Sequence, residues 1–147
     1  MDQQRDAGPS SFAEAVLASD PAEARRLQDQ IEQYLLQSSH ASTHEIFSIK
    51  LALEEAIINA IKHGNQLDRA KKVRVLYRAT AGFFEVRVID EGPGFDPSEV
   101  PDPTAVENLE RPCGRGLMLM RHYMTEVAYT SAGNCVVMSK VLRNGKK

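Results

Sequence analysis

The chain has 147 residues, with 18 basic and 20 acidic side chains and a formal net charge of −2. This length predicts one domain that can bury its own hydrophobic core. A hydrophobic content of 42% and a charged content of 26% exclude a chain that is disordered throughout. Because the charge is near neutral, the chain has no basic field for a nucleic acid backbone. Any bound phosphate must be held locally by backbone amides, a metal or a few side chains.

The cysteines and the apolar runs bear on the cellular compartment. Cys113 and Cys135 are too few and too far apart in sequence for a metal cluster, so we expect free thiols in a reducing compartment. No apolar run approaches the roughly 20 residues of a membrane helix, and residues 1–10 lack the apolar core of a signal peptide. We therefore expect a cytoplasmic protein that does not contact a membrane.

The first half of the chain has the pattern of one strand and two helices. Residues 11–18 partly alternate between apolar and polar side chains, which predicts an edge strand. An Asp-Pro pair then introduces a helix predicted over 21–37. After a polar break, a stronger helical pattern follows and ends at Gly64 and Asn65. Its apolar positions recur at three- and four-residue steps: Ile46, Ile49, Leu53, Ile57 and Ala60.

The second half is dominated by strands. Four runs rich in β-branched or aromatic residues predict strands over 72–79, 83–90, 126–131 and 134–142. Thr80, Ala81 and Gly82 would join the first two as a hairpin, and a helix is expected over 117–124. This order predicts an α/β sandwich of two layers, in which helices cover one face of a mostly antiparallel sheet. We expect one domain over 11–142, between flexible ends at 1–10 and 143–147.

Three polar side chains share one face of the second helix. Glu55, Asn59 and His63 are spaced four residues apart, on the side away from the Ile/Leu stripe. Such a ridge is commonly a solvated helix face. Asn is nevertheless a poor helix former in the middle of a helix, and a ligand for its carbonyl would explain its presence.

Two glycine-rich segments are the other candidate binding elements. Asp90 begins the sequence DEGPG at a strand end, where a carboxylate can accept a hydrogen bond from an exocyclic amine. Gly114, Arg115 and Gly116 stand immediately before the helix predicted over 117–124, where free amides suit a phosphate. Taken singly, the first segment can be a tight turn and the second a simple helix entry.

The three elements together resemble the ATP site of the GHKL ATPase superfamily. LALEEAIINAIKHGN resembles its N box, VIDEGPGF its first glycine box and CGRGLMLM its second glycine box. Within the superfamily, EAIINAIKHGN and GRGLMLMRHYMTEV are most similar to the anti-sigma factor serine-protein kinases of the RsbW and SpoIIAB type. The resemblance extends over about residues 11–142.

The resemblance implies the Bergerat-type α/β sandwich, with ATP held between the N-box helix, the glycine boxes and a lid near 96–113. Glu55 would be the general base that activates a substrate serine, and Asn59 would coordinate Mg²⁺. Asp90 would bind the adenine amine. The remaining implied nucleotide contacts are His63, Gly92, Gly94, Gly114, Arg115, Gly116 and Leu117. Lys62 is a further cationic candidate for the phosphates. The final hairpin departs from the family pattern, because Asn134 follows Gly133 where many members have a threonine near adenine.

The implied function is an anti-sigma factor that uses ATP and Mg²⁺ to phosphorylate a serine of a STAS-domain antagonist. Its partners would be a sigma factor, that antagonist and a second copy of the chain, docked through 11–37. One alternative is a non-catalytic, ATP-responsive module that regulates a partner by sequestration. A weaker alternative is a detached histidine kinase domain, in which His40 and His44 precede the N-box helix without a dimerisation hairpin.

Overall fold

The computed structural model describes residues 12–92, 112–130 and 134–143. Within these ranges the helices are α1 (Ala22–Ser38), α2 (Thr43–Asn59) and α3 (Pro112–Tyr123). A π-helical turn, Ala60–Gly64, continues α2. The strands are β1 (Ala13–Ala18), β2 (Lys72–Thr80), β3 (Phe83–Ile89), β4 (Glu126–Tyr129) and β5 (Cys135–Val141). The predicted order of elements is confirmed.

The strands form one five-stranded sheet in the order β1-β2-β3-β5-β4, and each neighbouring pair is antiparallel. Thr80 pairs with Phe83, so Ala81 and Gly82 alone form the turn of the predicted hairpin. In β2 and β3 every second side chain is buried, which is the pattern of a sheet covered on one face. The predicted α/β sandwich is therefore confirmed, with β1 at the edge.

The core lies between this face of the sheet and the helices. Its largest fully buried side chains come from all three helices, from the π-helical turn and from the strands: Leu17, Leu27, Ile31, Leu35, Ile49, Leu53, Ile57, Ile61, Val73, Phe84, Met120 and Met138. Each such side chain contributes roughly 1.5–3 kcal/mol through its burial. Helix α2 is the central helix of this layer, since it contacts both α1 and α3. The core thus holds the N-box helix against the sheet.

The N-terminal end of α2 is fixed by a capping box. The Ser42 hydroxyl accepts a hydrogen bond from the Glu45 amide at 3.1 Å, and the Glu45 carboxylate accepts one from the Ser42 amide at 3.0 Å. Glu45 is buried, and its second oxygen accepts a hydrogen bond from the Arg143 amide at 2.8 Å. This end of α2 is therefore tied to the residues that follow β5.

The start of α3 differs from the prediction. The glycines were expected before a helix over 117–124, whereas α3 begins at Pro112, so that Gly114, Arg115 and Gly116 lie inside its first turns. Proline favours the first helical position, because its fixed φ suits the helix and its missing N–H needs no partner there. The glycines were expected to stand immediately before the helix, but here they are helical residues.

Several predictions fall outside the described residues. They concern the flexible end at 1–10, all but the first residue of the flexible end at 143–147, most of the lid near 96–113, the turn of the final hairpin and the glycine Gly94. Cys135 is a free thiol, as expected. Among the described helices, none combines the length and the apolar character that a bilayer crossing requires.

Candidate active site

The C-terminal end of α2 changes its hydrogen-bonding pattern. The Asn65 amide donates to the Ala60 carbonyl at 2.8 Å, a step of five residues that closes a π-helical turn. Such turns are frequent at functional sites. Glu55 and Asn59 lie one turn apart just before this change, and both are half-buried. The two residues predicted to carry catalysis and metal binding therefore lie where α2 becomes irregular.

Asn59 carries an unsatisfied polar atom. Its Nδ2 is buried and has no hydrogen-bond partner among the described residues. A buried donor without a partner lowers the stability of the folded state by about 1–3 kcal/mol, so this nitrogen does not stabilise the fold. Because no hydrogen bond to a described residue holds Nδ2, a half-turn about the Cβ–Cγ bond can exchange the positions of the oxygen and the nitrogen. The side chain thus fits a position kept for a bound group.

His63 and Lys62 follow Asn59 in the π-helical turn, and both side chains are exposed. The predicted ridge of Glu55, Asn59 and His63 assumed a regular α-helix. The π-helical turn changes the angle between successive side chains, and His63 is exposed whereas Glu55 and Asn59 are half-buried. The predicted contacts of His63 and Lys62 with phosphates remain predictions.

Asp90 follows the last residue of β3 and is held from several sides. Its backbone amide donates to the Asn134 carbonyl at 2.9 Å, and the Asn134 side chain donates to the Asp90 carbonyl at 3.2 Å. Its carboxylate accepts a hydrogen bond from the Gly92 amide at 2.8 Å. Burial raises the pKa of Asp90, while the Gly92 hydrogen bond and the charge of Lys71 oppose that rise. Asn134, the residue that departs from the family pattern, therefore adjoins the predicted adenine contact.

Two glycines allow the N box and the first glycine box to touch. A Cβ placed on Gly64 would overlap the Asp90 carboxyl group, and a Cβ placed on Gly92 would overlap the Gly64 carbonyl. Only glycine leaves space for these close approaches. Gly92 was predicted as a site residue, but Gly64 was interpreted only as a helix end. The structure brings Gly64, Asp90 and Gly92 together.

Asn65 is a residue that the sequence analysis missed. It is fully buried, and its side chain bonds to Ser19, Lys72 and Glu91, which lie far from one another in sequence. In sequence, an Asn after a Gly is typical of a helix stop. Its position directly after a candidate binding helix was a weak indication, because a polar side chain there can support a binding site as well as end the helix.

The second glycine box is described only by its backbone. Gly114, Arg115, Gly116 and Leu117 lie near the N-terminal end of α3, where the first amides of a helix have no partner within the helix. Such amides favour a phosphate, with support from the helix dipole. The side chains of Arg115 and Leu117 lie outside the described structure, so their predicted contacts stay predictions.

This arrangement suits phosphoryl transfer more than covalent catalysis. The amides at a helix N-terminus can orient a triphosphate and offset part of its charge, while one carboxylate can accept a proton. Mg²⁺ prefers oxygen ligands and retains several waters, so the Asn59 oxygen together with phosphate oxygens fits its requirements. In the described ranges no three His, Cys, Asp or Glu side chains are grouped to hold a metal.

Comparison with protein families agrees with this geometry. The family model described as the histidine kinase-like ATPase domain matches residues 17–140. This stretch contains the N box, Asp90 and both glycine boxes.

Three curated relatives are 28%, 34% and 35% identical to the chain over the aligned residues. It is 35% identical over 108 residues to the anti-sigma F factor of Halalkalibacterium halodurans, covering 69% of this chain and 73% of that protein. It is 34% identical over 112 residues to the serine-protein kinase RsbW of Bacillus subtilis, covering 70% and 68%. It is 28% identical over 85 residues to the serine/threonine-protein kinase BtrW of Bordetella bronchiseptica, covering 56% and 60%. The chain thus spans less than two thirds of the length of BtrW.

A solved structure is similar in fold. The crystal structure of the RsbU and RsbW domains of a Mycobacterium tuberculosis protein matches with a TM-score of 0.61 and 18% identity, covering 92% of this chain and 34% of that chain. Together with the family model and the curated relatives, this likeness confirms the resemblance predicted from the three motifs. The chain belongs to the histidine kinase-like ATPase family, and its relatives include proteins named anti-sigma factors and serine-protein kinases.

Proposed function

We propose that the chain is an ATP-dependent protein serine kinase that also sequesters a sigma factor. Its substrate would be a serine of a STAS-domain antagonist, and both partners would place it in the bacterial cytoplasm. The observation that carries the proposal is the unsatisfied Asn59 amide, one turn from Glu55 on the helix that ends against Asp90. The proposal is supported because the candidate metal ligand Asn59, the candidate general base Glu55 and the carboxylate of Asp90 lie on adjoining elements.

Each of these side chains has a role that its surroundings permit. Asp90, whose carboxylate keeps acceptor sites beyond its bond to Gly92, would accept a hydrogen bond from the adenine amine. The Asn59 oxygen would bind Mg²⁺, which would neutralise charge on the phosphate oxygens. The first amides of α3 would face the phosphates.

Glu55 would act as the general base. A half-buried carboxylate near the triphosphate can accept the proton of the serine hydroxyl as its oxygen attacks the terminal phosphorus. The bond from that phosphorus to the bridging oxygen then breaks, and ADP leaves. A positioned base contributes roughly 10²–10⁴-fold to the rate, whereas substrate binding depends mainly on the other residues.

The proposed protein partners are inferred from the names of the relatives and not from the geometry of the site. A relative named anti-sigma F factor supports a sigma factor as the sequestered protein, and relatives named serine-protein kinases support a protein substrate. We propose a homodimer through residues 11–37, which include the edge strand β1.

The test uses Glu55→Gln, with Glu54→Gln as a matched control. Glu54 is the neighbouring carboxylate on α2, but it is exposed and has a weak contact with Gln28 at 3.5 Å. Each variant is incubated with Mg²⁺ and ATP and with purified STAS-domain proteins from the same genome, and phosphoserine is measured by mass spectrometry. We expect transfer by Glu55→Gln to fall roughly 100-fold or more with ATP binding retained, and Glu54→Gln to match the wild type.

Two outcomes would count against this proposal. A wild-type chain that binds no ATP would contradict the nucleotide site itself. A wild-type chain that binds ATP but phosphorylates none of the STAS-domain proteins would favour the non-catalytic binding module. Partner release that depends on nucleotide, measured by analytical ultracentrifugation with the sigma factor, would then define that module.

A further inference from the structure

Asn65 lies at the centre of a buried polar network beside the candidate site. Its Nδ2 donates to the Ser19 hydroxyl and to the Lys72 carbonyl, each at 3.0 Å. Its Oδ1 accepts a hydrogen bond from the Glu91 amide at 2.8 Å. Both amide hydrogens are therefore used, and the side chain is fully buried. This differs from Asn59, whose buried nitrogen has no partner among the described residues.

The network closes on itself through Glu91 and Lys72. The Glu91 carboxylate accepts a hydrogen bond from the Lys72 amide at 2.6 Å, while Asn65 binds the Lys72 carbonyl and the Glu91 amide. Ser19 adds a further link, because its hydroxyl donates to the Lys71 carbonyl at 2.7 Å. The start of β2, the end of β3 and the residue after β1 are thereby held at one point.

Asp90 lies beside Gly64 and Asn65, the last residue of the π-helical turn and the residue that follows it. Gly64 packs against the Asp90 carboxyl group, and Asn65 holds the peptide that follows Asp90. Asn134, which directly precedes β5, bonds to the backbone of Asp90. A shift of the Glu91 peptide would therefore move the carboxylate that the proposed function assigns to the adenine amine.

Only asparagine supplies this set of bonds at this position. Aspartate provides no donor for Ser19 or Lys72, alanine provides neither donor nor acceptor, and glutamine adds a methylene in a fully buried space. We infer that Asn65 is a positioning residue of the nucleotide site, which holds the Asp90–Gly92 backbone so that the Asp90 carboxylate can distinguish adenine from a base without the exocyclic amine. The inference rests on the proposed ATP site.

The test measures base discrimination rather than affinity alone. The affinities for ATP and for purine riboside triphosphate, which lacks the exocyclic amine, are compared by calorimetry with Mg²⁺ present. We expect the wild type to prefer ATP by roughly tenfold, the value of one hydrogen bond to a charged group, and Asn65→Ala to lose most of that preference. Ser19→Ala, which removes one partner of Asn65 and leaves the Glu91 contact, should lose a smaller part.

Gln28→Ala is the matched control for buried amide loss. Gln28 is a buried amide that donates to the Lys50 carbonyl at 2.7 Å, between α1 and α2 and away from Asp90. It should lose stability but keep the wild-type preference. Hydrogen exchange of the Glu91 amide gives a second readout, which should be faster in Asn65→Ala and unchanged in Gln28→Ala.

The outcomes distinguish the proposed adenine contact of Asp90 from the inferred positioning role of Asn65. A wild type without preference for ATP would contradict the adenine role of Asp90 and the inference with it. A wild-type preference that persists in Asn65→Ala, with unchanged exchange at Glu91, would overturn the inference and leave the ATP site standing. If Asn65→Ala does not fold, Ser19→Ala decides, because an unchanged preference in that variant also overturns the inference.

Discussion

At its N-terminal end, α2 satisfies its backbone with a capping box, whereas at its C-terminal end it passes into a π-helical turn beside an unsatisfied amide. Glu45 is buried at the first end with a partner for each oxygen. Near the second end, partial burial disfavours the charged form of the Asp90 carboxyl group and raises its pKa. The comparison teaches that the polar groups at the first end serve stability, while at the second end the Asn59 side-chain nitrogen is buried without a partner among the described residues.

The residues after the π-helical turn extend this contrast. Gln66 and Leu67 have φ values of 55° and 61°, in the left-handed region that costs a non-glycine residue roughly 1–2 kcal/mol. The Leu67 amide nevertheless donates to the Ile61 carbonyl at 2.8 Å, which closes the end of the helix. Backbone strain of this kind clusters at functional sites, where surrounding contacts maintain it.

The largest effect is expected at Gly92, where the two glycine-dependent contacts meet. In Gly92→Ala the new Cβ would overlap the Gly64 carbonyl, so backbone must shift and the free energy of unfolding should fall by about 3 kcal/mol. ATP binding should be lost as well. Gly82→Ala is the control, because its Cβ would lie at an ordinary 3.7 Å from the Leu142 carbonyl. Urea denaturation and calorimetry measure both, and equal stability of the two variants would contradict the close packing.

Asn59→Ala should separate stability from binding. Removing a buried donor without a partner, and introducing a better helix former, should leave the free energy of unfolding unchanged or raise it by about 1 kcal/mol. The Mg²⁺-dependent part of ATP affinity should be lost. Gln28→Ala removes a satisfied amide and should instead cost about 1–3 kcal/mol. If both variants lost the same stability, Asn59 would be a structural residue.

Ser42→Ala tests the other end of the helix. Losing the hydrogen bond from the Glu45 amide to the Ser42 hydroxyl should cost about 1 kcal/mol of unfolding free energy. ATP affinity should not change, since the cap lies at the opposite end of α2 from Asn59. Thermal denaturation and ATP titration measure the two quantities. A weakened ATP affinity would show that the two ends are coupled.

Leu67→Gly should relieve strain in the turn that follows the site. Glycine adopts the left-handed conformation freely, and Leu67 is 52% exposed, so stability should rise by up to about 1 kcal/mol. Leu36→Gly is matched in exposure at 57% but lies inside α1, where glycine should cost about 1 kcal/mol. Opposite signs are therefore expected in urea denaturation, and a loss in both would contradict the strain.

The smallest effect is the pH dependence contributed by Asp90. Because burial raises its pKa above the unfolded value, the folded state holds the proton more tightly. The contribution to stability is present below the unfolded pKa and is lost as pH rises through the raised folded pKa. The stability of Asp90→Asn relative to the wild type should therefore increase from about pH 3.5 upwards, measured by urea denaturation over a pH series. A constant difference would contradict the raised pKa.

Much of the fold was predictable because its signals are local. The three- and four-residue spacing of Ile46 through Ile57 identified α2, and the runs rich in β-branched residues over 72–79 and 83–90 identified the hairpin. The start of α3 was misplaced, since glycine lowers helix propensity whereas the neighbouring Pro112 favours a first helical position. The preference of Pro112 for a first helical position outweighs the low helix propensity of the glycines there.

Asn65 shows where local reasoning ended. Together with Gly64 it suggested a helix stop, while its hydrogen-bond partners Ser19, Lys72 and Glu91 lie 46, 7 and 26 residues away. No short pattern can encode such contacts, because they depend on how β1, β2 and β3 meet the end of α2. The same applies to the space that Gly64 leaves for Asp90.

By itself, the sequence determined the order of elements, the antiparallel sheet covered on one face and the family, because periodicity and short motifs are properties of neighbouring residues. Only the tertiary structure decided which amide is satisfied and which is not, that the N box ends in a π-helical turn, and that Gly64 and Asn65 hold Asp90. These features arise where distant segments pack together, and packing leaves each buried polar group either with a partner or ready for a ligand.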